Sequence, residues 1–174
     1  MVFSIDDGAD ERRVRLTQMV FALREAPALV YDRHLTVLIA NELAGEVQSA
    51  FTVGTNLARA TFLVTDLDDG VDDGDQKREQ VAAALRDAVQ QHDEDRAYVE
   101  LVGELAARSN PFAEAWATDL PVAPTGEFRF RDGMTLAYHR FLAPGPEGDT
   151  LLLWRGADEA STTKLASIAA RLSG

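Results

Sequence analysis

A chain of 174 residues, 46% of them hydrophobic, is long enough to bury one proper core and too short to hold two full domains comfortably. With 29 acidic against 17 basic residues the net charge is -12, which repels phosphate backbones and argues against direct nucleic-acid binding by this chain. There is no cysteine, which excludes disulfides, thiolate zinc sites and cysteine nucleophiles; no apolar run reaches the length of a membrane span, and the start "MVFSIDDGADERR" is acidic where a signal peptide would be basic, so a cytoplasmic protein is the expectation.

In chain order, a polar lead-in over residues 1–13 precedes a first helix marked by Val14, Leu16, Met19, Val20 and Leu23 and ended by Pro27. "ALVYD" and "LTVLIAN" follow as two short strands, close enough for a hairpin although the intervening Arg33-His34 is not a strong turn former. Asn41 is placed to cap the short helix "NELAGEVQSAF", and a second short helix starts near Thr55 or Asn56. The acidic, glycine-containing stretch Asp66 to Asp75 reads as a solvated loop. Helices are then expected from Gln76 to Gln91 and from Tyr98 to Ala107, the latter broken at Ser109-Asn110-Pro111, where a new helix begins with Ser109 as cap and Pro111 in its first turn. Three strands come next, "EFRFR", "MTLAYHRFL" and "TLLLWRGA", the first two joined by the strong hairpin signal Asp132-Gly133, and a helix from Glu159 to Leu172 closes the chain.

This order describes an α+β fold over residues 1–174, a single PAS-like domain with a five-stranded antiparallel sheet and helices packed on one face. The helices inserted between the second and third strands form a lid in such a fold, and a ligand would sit between lid and sheet. On the second late strand either Leu136, Tyr138 and Arg140 or Ala137, His139 and Phe141 face the helices; the sequence leaves both open.

Several spaced motifs in one order resemble the MmyB-like ligand-binding domain, the C-terminal PAS-like half of certain bacterial helix-turn-helix transcription regulators. They are Asn56, Arg59 and Phe62, matching N-x-x-R-x-x-F, and Glu104, Leu105, Ser109, Phe112 and Trp116, matching E-L-x-x-x-S-x-x-F-x-x-x-W. The resemblance implies a domain that holds a fatty acid or similar acyl ligand between sheet and helices and passes its occupancy to a DNA-binding domain. Fewer than fifteen residues precede the first helix, so the helix-turn-helix of these regulators is not expected within this sequence, and the initial Met favours a natural start over an excised domain. Where the family has Trp-Asn this chain has Ala40-Asn41, and the His-Pro approach to the second late strand is replaced by "FRFRDGMTLAY".

The expected ligand-binding residues are Asn56, Arg59, Phe62, Phe112, Trp116 and Tyr138, with Trp154 also in the apolar wall. Asn56 and Arg59 share a helical face and could both address one carboxylate, the guanidinium bidentately, while the aromatics line the chain. The plainer reading is that Asn56 caps its helix, Arg59 is solvated and the aromatics are core. No EF-hand register fits the acidic loop, and His34, His92 and His139 lie on three separate elements, so neither a metal nor another cofactor is expected. An enzyme would have to be built from Asp132, His139 and Tyr138, but adjacent strand residues point to opposite faces, which makes poor geometry. The remaining alternative is an interaction module, a homodimer or the companion of a partner regulator, with no small-molecule ligand.

Overall fold

The computed structural model describes residues 6–64, 71–92, 94–143 and 147–174. The chain enters through α1 (Asp6–Ala22), which begins earlier than its apolar pattern and uses only part of that pattern against the sheet. Leu16, Val20 and Leu23 pack on Ala28, Val30 and Ile39, while Val14, Met19 and Phe21 are 54%, 41% and 54% exposed. β1 (Ala28–Tyr31) and β2 (Val37–Ala40) form the expected antiparallel hairpin. Its turn former is Asp32, whose Oδ1 accepts from the backbone N–H of His34 and of Thr36, both at 2.9 Å, while Leu35 takes a left-handed φ of 65°.

The chain then leaves the sheet through α2 (Glu42–Val47), α3 (Leu57–Phe62), α4 (Gly74–Gln91), α5 (Arg96–Arg108) and α6 (Asn110–Ala117). It returns as β3 (Thr125–Arg129), β4 (Thr135–Leu142) and β5 (Thr150–Gly156), and ends in α7 (Glu159–Leu172). The strand order is β2-β1-β5-β4-β3 with every neighbouring pair antiparallel, so the last strand occupies the centre. The Asp132-Gly133 turn is as expected: Gly133 has a φ of 84°, and Asp132 Oδ1 accepts from Met134 N at 2.9 Å. β3 starts two residues before the strand-like run, because Thr125 and Gly126 pair with His139 and Tyr138 through their backbones.

Alternation along the strands divides the molecule into two layers on the sheet. Leu29 and Tyr31 of β1, Leu136 and Tyr138 of β4 and Trp154 of β5 belong to the larger core with α2 to α7. This settles the open alternative on β4 in favour of Leu136 and Tyr138, and Phe141 lies half-exposed on the other face. That other face carries α1 over β1 and β2, because both faces of β1 are apolar and each needs a cover. The corner between α5 and α6 turns on one residue. Ser109 ends α5, its backbone N–H donating to Leu105, and caps α6, its Oγ accepting from Phe112 N at 3.2 Å.

The entry and exit of the early hairpin are tied together by Asn41, which is 7% exposed. Its Nδ2 donates to the carbonyls of Leu23 and Ala26, both at 2.8 Å, and its Oδ1 accepts from Ala28 N at 3.2 Å and Ala44 N at 3.0 Å. One amide thereby caps α2, extends the β1 pairing and closes the link from α1. Asn41→Ala removes the cap and strands buried backbone groups, so it should cost about 2–4 kcal/mol. Thermal denaturation should show a midpoint lowered by about 5–15 °C relative to the parent.

Candidate functional site

Between the sheet and the helices lies a cavity of about 100 Å³. Its floor is aromatic: Tyr31, Tyr138 and Trp154 from β1, β4 and β5, and Phe128 from β3. Tyr138 and Trp154 are cross-strand partners with ring centroids 5.2 Å apart, and Phe128 stacks on Tyr138 at 5.5 Å. The roof is formed by Leu57 and Thr61 of α3 and Val81 and Ala84 of α4, with Phe51 closing one side 5.8 Å from the Trp154 ring. A small residue on α4 makes room for this: Ala84 is buried in the cavity wall, where a larger side chain would fill the space.

Polar groups at the wall are few. Arg140 donates from Nε to the Tyr31 hydroxyl at 2.9 Å. Gln80 accepts from Ala123 N at 2.9 Å and is thereby fixed. Burial raises the pKa of Tyr138 above the usual phenol range, so its hydroxyl stays protonated and able to donate. The Trp154 indole N–H is buried with no hydrogen-bond partner among the described residues, an arrangement that native interiors rarely leave unexplained.

Of the six expected ligand-binding residues the structure places Tyr138 in this wall and the other five elsewhere. Asn56 caps α3 by accepting from Arg59 N at 3.0 Å and donates to the carbonyl of His34 at 2.7 Å, pinning α3 to the hairpin turn. Arg59, expected as a carboxylate anchor, has a side chain that is 50% exposed and pairs with Glu104 of α5 at 2.8 Å, outside the cavity lining. The two motifs therefore meet, but on each other. Phe62 and Phe112 meet edge to face at 5.1 Å, and Phe112 contacts Trp116 at 5.2 Å, forming the core of the lid behind the cavity roof. Trp116 is covered in turn by the Arg86 guanidinium, 5.0 Å from the ring centroid, which also donates to the Trp116 carbonyl at the end of α6.

Sequence reasoning missed Tyr31, Phe51, Phe128 and Arg140 as wall residues. The alternation of "MTLAYHRFL" contained Arg140 as an alternative, but a charged residue on a core-facing strand position reads against the pattern. The trio Asp132, His139 and Tyr138 is not assembled: Tyr138 faces the cavity, His139 lies within 3.5 Å of Arg155, and Asp132 is held by Lys164 at 2.7 Å. His34 is bound to Asp95 at 2.8 Å and His92 stacks on Tyr98, whose phenol burial pushes up to about 12. In the acidic stretch, residues 66–70 lie outside the described residues, while Asp73 accepts from Arg129 N at 2.9 Å and Asp75 pairs with Arg78.

A five-stranded antiparallel sheet with a helical lid over one face and an apolar cavity between them defines a PAS-like class of domain. The chain belongs to the MmyB-like transcription regulator ligand binding domain family, whose pattern matches residues 13–168. This is a family of regulatory ligand-binding domains and not of enzymes. No curated protein matches the chain. No helix among the described residues is long and apolar enough to cross a membrane.

The lid clamp has a pH signature. The Arg59 hydrogen bond is the main cause holding the Glu104 carboxyl below its usual range, so the stabilisation is complete above the unfolded carboxylate pKa and fades as pH falls through the lowered folded value. Arg59→Ala should melt below the parent at pH 7, and the two midpoints should converge as the pH is taken below the usual carboxylate range and through the lowered Glu104 value. A second change tests the floor. A Cβ at Gly126 would lie 2.7 Å from the Tyr138 ring, which is wedged against Phe128 and Trp154, so Gly126→Ala should cost roughly 1–3 kcal/mol in chemical denaturation through overpacking.

Proposed function

We propose that this chain is the sensing domain of, or one related to, a bacterial transcription regulator, and that it binds a small apolar molecule, a fatty acid or similar acyl compound, between sheet and lid. The observation that supports this is the apolar cavity floored by Tyr138 and Trp154, in a family of ligand-binding domains. A chain placed there gains about 0.8 kcal/mol per buried methylene. At about 100 Å³ the cavity is smaller than the roughly 300–1,000 Å³ typical of drug-sized ligands, so a short acyl chain suits it as it stands, and a longer one requires α3 and α4 to move from the sheet.

In this reading Asn56, Arg59, Phe62, Phe112 and Trp116 act on the ligand through the lid they hold together, and Tyr138 touches it. Occupancy would set the position of the lid against the sheet, and that position is what a DNA-binding partner would read. A second reading, self-association or docking on a partner regulator through α1, draws on the exposed Val14 and Phe21, seven residues apart on one side of that helix.

Organic extraction of the purified protein followed by mass spectrometry should recover an acyl compound near one mole per mole. A fluorescent acyl probe should alter tryptophan emission, and the response should persist in Trp116→Phe, where Trp154 is the remaining indole. Neither extract nor probe response, with a dimer in solution, would replace the sensor by the interaction module.

A further inference from the structure

The cavity has one cationic group whose placement the fold does not explain. β4 alternation carries Arg140 to the same face as Leu136 and Tyr138, toward the helices, where a strand residue is ordinarily apolar. It is half-buried, and no carboxylate lies within ion-pair distance of it among the described residues, in a chain with a net charge of -12. Arg12, Arg33, Arg59, Arg78, Arg86 and Arg108 all have such a partner. What holds Arg140 is a neutral group: Nε donates to the Tyr31 hydroxyl at 2.9 Å, and the two terminal nitrogens make no hydrogen bond to the described residues.

Its position along the cavity is equally specific. Arg140 and Tyr31 line the apolar cavity on one side and, on the other, a smaller recess bounded by Gln91, His92, Gly148 and Thr150. They therefore stand at the neck between the apolar interior and the recess. Asp32 and Asp87 border the recess, but neither is ion-paired with Arg140, and Asp32 is committed to the hairpin turn through Oδ1. Lys77, the other cation in the cavity wall, already has an interaction of its own. A guanidinium oriented through Nε and open at both terminal nitrogens presents the parallel N–H pair that a carboxylate accepts bidentately.

We propose that Arg140, oriented by Tyr31, is the residue that recognises the headgroup of the cavity's ligand, and that this headgroup is a carboxylate, with the apolar tail directed past Tyr138 toward Trp154. The assignment rests on the sensor reading above and makes it specific: the domain discriminates free acids from neutral molecules of the same chain length. The carboxylate replaces water around a half-buried guanidinium that lacks an internal counterion, and an alcohol or amide offers no charge to do so.

The test compares octanoate with 1-octanol by calorimetric titration of the intact protein, its Arg140→Gln and Tyr31→Phe variants, and Lys77→Met, each first shown to melt cooperatively. The parent should prefer octanoate at least tenfold, as for one charge-assisted hydrogen-bonded pair. Arg140→Gln should abolish the preference by weakening octanoate while leaving octanol within about twofold, and Tyr31→Phe should reduce it by a few-fold through loss of guanidinium orientation. A parent that binds both compounds equally, or an Arg140→Gln protein that keeps the preference while Lys77→Met loses it, overturns the assignment and leaves the cavity as the ligand site. A parent that binds neither compound overturns the sensor reading and the assignment together.

Discussion

Four hydrogen bonds converge on the Asn41 side chain, and their partners lie at Leu23, Ala26, Ala28 and Ala44, at or just outside the ends of α1, β1 and α2. An amide is the group suited to this place, since it offers two donors and an acceptor oxygen with two lone pairs in a fixed plane. The hairpin's strand ends are thereby held while the chain passes from the α1 face of the sheet to the helical face. Everything on the helical side, the lid included, is suspended from that crossing. The lid over the cavity is tied at its rim by Asn56 on the hairpin turn and by Arg59 on Glu104.

The two motifs that carried the resemblance thus meet each other in this chain. Arg59 and Glu104 come from helices separated by the acidic stretch and by α4, and the ion pair between them closes α3 against α5. Phe62 and Phe112 form the apolar counterpart of the same closure. Aromatic contacts of this kind are non-directional enough to survive a small displacement, whereas the charge-assisted hydrogen bond is not.

The sheet and its helices were legible because their signals are local. Helical spacing, Asn41, Asn56 and Ser109 as caps and Asp132-Gly133 as a turn all depend on neighbours in sequence. The hairpin turn was misread only in its agent: Asp32, the last residue of "ALVYD", supplies what Arg33-His34 lacks. The site was less legible, for physical reasons that particular residues show. Arg59 and Arg140 are both arginines within apolar segments, and no local feature distinguishes one that meets Glu104 from one that meets Tyr31. Only the pairing of β1 with β5 and of β5 with β4 brings Tyr31 to Arg140. Likewise Trp154 reads as core in sequence, and its unpaired N–H becomes visible only when its surroundings are known.

The strand order also has a consequence during biosynthesis. β1 is made early, yet its second neighbour is β5, where Ala28 pairs with Leu153. At the usual 5–20 residues per second this leaves the inner edge of β1 without its partner for about ten seconds of translation. That edge belongs to an apolar strand, "ALVY", the kind of segment that joins other chains when exposed. The five helices made in the meantime are local structures that form in microseconds. They are in a position to cover one face of β1 while α1 covers the other, but its hydrogen-bonding edge is filled only when the last strand enters the centre of the sheet.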